Sequence, residues 1–192
     1  MEKRSRDVIN FFLSRRSHMA KFLCDPVPNR REIELIITAA ARSPDHGKLE
    51  PWRFLVLEKS AMNRVCNAIK NHGYMNGVEE DKLIKNESLF RNSPLVIAVV
   101  FSPKDTIKIP IIEQKMSAGA VCLALLNTAH AMGWGANWLT GWMAYDRAFL
   151  SSTFKLREGE FIAGFIHIGT PKVKPNERPR PKLDELVTWI RK

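Results

Sequence analysis

Three short segments hold the residues best suited to chemistry. Arg15-Arg16-Ser17 sets two guanidiniums beside a hydroxyl. That combination suits a phosphate monoester and an adjoining polyol, because the guanidinium fork presents paired N–H donors to paired oxygens. A solvated basic turn is the competing reading. The second segment, Pro44-Asp45-His46-Gly47-Lys48-Leu49-Glu50-Pro51-Trp52, concentrates donors and acceptors in one constrained turn. His46 and Lys48 could donate to a bound heterocycle or polyol while Pro51 and Trp52 anchor the loop; a purely structural turn fits as well. The third runs Gly133-Trp134-Gly135-Ala136-Asn137-Trp138-Leu139-Thr140-Gly141. Small residues let a flat ligand approach the backbone amides, and tryptophans supply apolar walls. A glycine-relieved strand carrying core tryptophans is the alternative.

Other chemistries lack their residues. His18, His46, His72, His130 and His167 are widely spaced and show no metal-ligand pattern. No serine elbow or cysteine–histidine pair is present, and no Gly-rich dinucleotide fingerprint or Walker loop follows a strand. No side chain is therefore assigned a catalytic role, and hydride chemistry, in which a cofactor does the bond-making, fits that absence. Cys24, Cys66 and Cys122 read as reduced thiols. The formal charge of +10 attracts polyanions, but the basic residues are spread along the chain without a nucleic-acid-reading motif. No specific nucleic-acid partner is expected; anionic nucleotides and a phosphorylated cofactor suit the charge equally. The apolar part of residues 8–13 is too short for a signal peptide or membrane span, so a cytoplasmic protein without membrane contact is expected.

The elements that must position these segments can be read from periodicity. Residues 7–14 form a short helix ending at the arginine pair, and residues 29–41 form a second, capped by Asn29 and stopped before Pro44. Strands are predicted over 52–58, 94–101 and 161–168, the second so apolar that it belongs in the middle of a sheet. Helices fall near 61–71, 79–86 and 145–152. Residues 111–132 make the longest helix, with few charges after Lys115 and small residues at Ser117, Ala118, Gly119 and Ala120. So apolar a helix must be covered nearly all round, either by its own chain or by a second copy. Irregular mixing of helices and strands points to an α+β fold, and 192 residues without a linker point to one domain over 1–192.

Taken together, Arg15-Arg16-Ser17, the 43–48 turn with Pro51-Trp52, the helix start Glu113-Gln114-Lys115-Met116-Ser117-Ala118-Gly119, the 133–141 segment and Gly169-Thr170-Pro171-Lys172 resemble the nitroreductase family of FMN enzymes. The likeness is greatest to its compact, YdjA-like bacterial branch of NAD(P)H nitroreductases. The resemblance implies a mostly antiparallel sheet flanked by helices, in a homodimer whose C-terminal extensions cross to the partner, where residues 183–190 would pack. It implies FMN as cofactor and NADH or NADPH as donor. Hydride would pass through flavin N5 in a ping-pong cycle to a small-molecule acceptor: a nitroaromatic, a quinone or a related conjugated compound. Arg15, Arg16 and Ser17 would hold the phosphate and ribityl chain, His46 and Lys48 would approach from the turn, and Asn137, Trp138, Leu139, Thr140 and Gly141 would surround N5 and the ring. Lys172 or Arg180 would close over the phosphate, and Phe22, Trp134 and Trp138 could wall the substrate. A flavin-storage protein with little turnover, or a specialised flavin reductase or dehydrogenase of the same fold, is the alternative.

Two departures from the commoner family pattern bear on the site. Asp45-His46-Gly47-Lys48 replaces small polar residues followed by amides, and Glu50 stands where an amide is frequent. The chain also lacks the inserted helical excursion that covers the cleft in larger members, which implies an open active site.

Overall fold

The computed structural model describes residues 5–191. Its centre is β3 (Leu95–Phe101), seven consecutive buried residues lying between β2 (Trp52–Glu58) and β5 (Phe161–Pro171), both antiparallel to it. A two-residue strand, β1 (Leu23–Cys24), and β4 (Gly135–Leu139) pair with the other side of β5, completing five antiparallel strands. With both faces of β3 covered, its side chains need not alternate between apolar and polar, and its sequence reads as one apolar run.

Helices close both faces of the sheet. Met62, Val65, Cys66 and Ile69 of α3 (Met62–Met75), Phe90 of α4 (Glu80–Asn92) and Phe149, Leu150 and Phe154 of α6 (Arg147–Phe154) bury against Val96, Ala98 and Val100. On the other face, Ile36 and Ala40 of α2 (Arg30–Ala40) and Val121, Cys122, Leu125 and Leu126 of α5 (Ile111–Ala131) pack on Leu95, Ile97 and Val99. A register shift between Val99 and Val100, opposite β5, changes the parity there. Ile162 and Phe165 consequently face one layer, and Ile166 and Ile168 the other.

The expected α+β architecture holds, with informative differences at the edges. Asn29 caps α2 through a reciprocal capping box with Glu32. Helix α6 starts at Arg147 rather than 145, because the Asp146 carboxylate accepts the Phe149 backbone N–H at 2.7 Å. Helix α3 continues past 71 and through Gly73, against which Leu83 of α4 packs. Helix α5 is covered on one face only: Ile111, Ile112, Met116 and Leu123 remain exposed. The 183–190 region forms a single helical turn, α7 (Leu183–Leu186), and leaves Leu183, Leu186, Trp189 and Ile190 exposed. Among the described residues, no helix is long and apolar enough to cross a membrane.

Candidate active site

Helix α1 (Arg6–Ser14) ends at Arg15, and the chain then runs beside the outer edge of β4, where the His18 backbone N–H donates to the Ala136 carbonyl at 2.9 Å. This placement fixes the arginine pair next to the 133–141 segment. Arg15, Arg16 and Ser17 line a cavity of about 540 Å³ whose other wall is Arg178, Pro179, Arg180 and Pro181. Four guanidiniums therefore face one space. The Arg15 guanidinium lies 3.4 Å from the Ser17 hydroxyl, and its Nε is buried with no hydrogen-bond partner among the described residues. Arg180 bonds back to the Leu13 carbonyl, tying the C-terminal segment to the end of α1.

A second cavity of about 440 Å³ shares Arg15 and Arg16 and adds His18, His130, Trp134 and Lys174. His130 Nε2 lies 3.2 Å from the Ala136 backbone nitrogen. Nε2 is equally 3.2 Å from the Ala136 carbonyl, which also receives the His18 N–H, so the ring is held against the main chain of this one residue. Burial lowers the His130 pKa to about 4, keeping the ring neutral. His130 Nδ1, His18 Nδ1 and Trp134 Nε1 are all buried without partners among the described residues, a concentration of unmet polar atoms around one arginine pair.

Strand β4 supplies the flat wall. In an antiparallel ladder successive residues alternate between bonding the partner strand and facing away. The Ala136 amide and carbonyl face away from β5, so the main-chain groups of Trp138 lie on the same outer edge. The Trp138 indole turns inward, donating to the Ala163 carbonyl at 3.1 Å and lying on Gly164, where a Cβ would collide with it. Asn137 and Leu139 are half-buried, whereas Thr140 and Gly141 are exposed beyond the strand end.

The 43–52 turn forms a separate cluster against the start of α5. His46 Nδ1 lies 2.6 Å from Glu113 Oε2, and the Ser117 hydroxyl donates to the Pro44 carbonyl at 2.8 Å while receiving the Trp52 indole N–H at 3.2 Å. The Asp45 carboxylate accepts the Glu50 backbone N–H at 2.6 Å. Lys48 and Glu50 are exposed and adopt positive φ, 53° and 49°. Pro44, Asp45, His46, Glu113, Met116, Ser117 and Ala120 border a cleft of about 290 Å³ that shares no residue with the arginine cavities.

The structure thus gathers Arg15, Arg16 and Ser17 beside β4 and holds His46 and Lys48 apart from them within one chain. Lys172 is exposed, bonded through its backbone N–H to the Phe22 carbonyl at 2.9 Å; Lys174, Arg178 and Arg180 line the cavities instead. Arg178 and Glu177 escaped the sequence reading, and Glu113 entered it only as the first residue of a helix start. A signal for Arg178 was available: Arg178-Pro179-Arg180-Pro181 holds an extended path, which sends alternate side chains to one side.

Comparison with known proteins agrees with this architecture. The family model "Nitroreductase family" matches residues 13–170. The "Putative NAD(P)H nitroreductase YdjA" of Escherichia coli K12 is 31% identical over 168 residues, covering 88% of this chain and 90% of the relative. The nitroreductase-like family protein from Bacillus cereus superposes with a TM-score of 0.81 at 21% identity, covering 99% of both chains. A Desulfovibrio desulfuricans structure, a "putative nitroreductase in complex with fmn", gives a TM-score of 0.76 at 21% identity over 96% of each chain. The chain belongs to the nitroreductase family, whose members are oxidoreductases, and has the family's fold. Its similarity to YdjA agrees with the compact branch that the sequence motifs indicate.

Proposed function

We propose that this protein is an FMN-dependent oxidoreductase that takes electrons from NADH or NADPH and reduces nitroaromatics, quinones or related conjugated acceptors in the cytoplasm. The observation carrying this reading is the four-arginine cavity beside the outer edge of β4. A phosphate monoester is a dianion with three acceptor oxygens, and guanidinium forks match it in charge and geometry. The partnerless Arg15 Nε and the adjacent Ser17 hydroxyl fit such a ligand.

FMN bound there would supply a hydride carrier at N5. Arg15, Arg16, Arg178 and Arg180 hold the phosphate, and Ser17 reaches the first ribityl hydroxyls. The Trp138 main-chain N–H, held on the outer edge of β4 by the ladder with β5, would be a donor to the edge of the ring, where it would favour negative charge. Asn137, Leu139, Thr140 and Gly141 border the ring. His130, kept neutral by burial, and its partnerless neighbours offer polar atoms there without adding charge.

The working form is a homodimer. Ile112, Met116 and Leu123, with the open Gly119 between them, repeat at four- and three-residue spacing along the uncovered face of α5. Val8 and Phe12 of α1 and Trp189 and Ile190 near the C-terminus add further exposed apolar surface, more than a monomer ordinarily leaves open. Packing α5 against its copy would also bring the His46 turn, anchored at the start of the same helix, to the partner's flavin.

The direct test is to purify the protein without added flavin, determine its mass in solution, record its visible spectrum and mix it anaerobically with NADH and with NADPH. A two-chain species whose flavin bleaches with one donor is expected. A dimer whose flavin resists both would mark a storage protein, and a colourless protein that takes up no FMN would overturn the reading.

A further inference from the structure

One acidic residue sits among the arginines. Glu177 belongs to the extended segment between β5 and α7, and a single oxygen of its carboxylate, Oε1, gathers three positive or donating groups. Arg180 lies 3.3 Å from that oxygen and Arg16 lies 3.8 Å from it, while the Arg178 backbone N–H donates to it at 3.0 Å. Arg16 also donates to the Asn176 carbonyl, so the neighbouring main chain is drawn onto the same guanidinium. The Arg178 backbone bond, reinforced by Arg180 and Arg16, holds the Glu177 carboxyl below its usual pKa, and it stays ionised throughout the neutral range.

These are the contacts a phosphate oxygen would make. Arg16, Arg178 and Arg180 line the cavity proposed to hold the FMN phosphate, while Glu177 borders the adjoining cavity that shares Arg16 and draws on the Arg16 and Arg180 guanidiniums from that side. We propose that Glu177 is a specificity-determining residue: an internal counter-anion at the edge of the arginine cradle that competes for Arg16 and Arg180 until a phosphate monoester draws them away. Singly charged anions, which offer the arginines no more charge than Glu177 already provides, are thereby held off. A dianion exchanges one negative charge for two and gains on displacement. Glu177 also offsets the repulsion between Arg16 and Arg180 in the empty site, which helps to fold the segment back before the cofactor arrives. Because Glu177 is exposed, each of its ion pairs is individually weak, and displacement opposes binding only modestly.

This inference rests on the FMN reading and is tested through binding rather than turnover. Flavin-loaded wild-type protein, Glu177→Gln and Glu185→Gln are diluted, released flavin is read by its fluorescence, and riboflavin is titrated in parallel into protein stripped of flavin. Glu185 pairs with Lys182 at 2.9 Å in the same C-terminal region and serves as the charge control. We expect Glu177→Gln to retain FMN about three- to tenfold more tightly than wild type. Riboflavin affinity should be unchanged, and Glu185→Gln should behave as wild type. Equal or weaker FMN retention in Glu177→Gln would overturn the proposal. So would equal tightening toward riboflavin, which has no phosphate, or equal tightening by Glu185→Gln, which would reveal a general charge effect. Wild-type protein that holds no FMN under any condition would instead sink the flavin reading beneath it.

Discussion

The turn carrying His46 is fastened at several points by its own chain, whereas the arginine cavity closes where Arg16 meets a segment 160 residues away. In the turn, Gly47, Lys48 and Glu50 all have positive φ, a conformation that costs non-glycine residues about 1–2 kcal/mol each. Such a backbone persists only when surrounding bonds over-determine it, and here Asp45, Ser117, Trp52 and Glu113 do so. The cavity shows the opposite economy: its half-buried arginine pair meets an exposed C-terminal wall through ion pairs that water screens. One polar cluster is finished within the chain, and the other, on the proposed reading, would be completed by its ligand.

The largest effect should come from removing the cavity's fixed wall. Arg15→Ala with Arg16→Ala should weaken FMN binding by about two to four orders of magnitude, since each charged hydrogen bond contributes roughly 1.5–3 kcal/mol. The thermal midpoint of the flavin-free protein should change little. A large drop in that midpoint would show that the arginines hold the fold and would break the contrast with the turn.

Acid should separate the interior from the surface next. His167 of β5 is buried against Phe90 of α4, with Nδ1 2.9 Å from the Ser93 hydroxyl, and burial lowers its pKa from 6.5 to about 4. His130 is lowered to about 4 as well. The unfolded chain takes up these protons near pH 6.5 and the folded chain does not. Stability from the neutral rings is therefore complete above that pH and is lost progressively as pH falls toward 4. His167 alone should account for roughly 3 kcal/mol of that loss. Urea midpoints measured across this range should fall, and His167→Gln should flatten the slope; an unchanged slope would exclude His167 as its source. Burial by itself would raise the Glu160 carboxyl, but its paired bonds from Arg53 at 2.9 and 2.8 Å, with those from Arg157, hold it well below the carboxylate range. Glu160 therefore adds slope of the same sign only at the acid end of this window, where the unfolded chain begins to protonate it near pH 4.5.

A smaller effect should isolate the turn. Ser117→Ala removes the hydroxyl joining Pro44 to Trp52 and should cost about 1–2 kcal/mol in chemical unfolding. FMN retention in the same variant reports how far the turn contributes to the flavin site. Loss of FMN with full stability would reverse the assignment of this cluster as the preformed one.

Local signals determined much of this protein. The apolar run of β3, the Asn29 cap with Glu32, the breaks before Pro44 and after α5, and the three polar segments are all legible in the sequence, because each depends on neighbours in the chain. The arginine pair at the end of α1 and the flat 133–141 strand are legible for the same reason. What the sequence could not supply was adjacency. Arg178 and Arg180 join Arg15 and Arg16 only after β4 and β5 bring the two ends of the chain together, and Glu177 becomes their counter-ion only there. Helix α5 had the composition for burial on every side, yet the folded chain covers one face, since a single sheet can cover only the face that packs on it. Short-range periodicity fixes elements, whereas long-range packing decides which charges share a cavity and which apolar face waits for another surface.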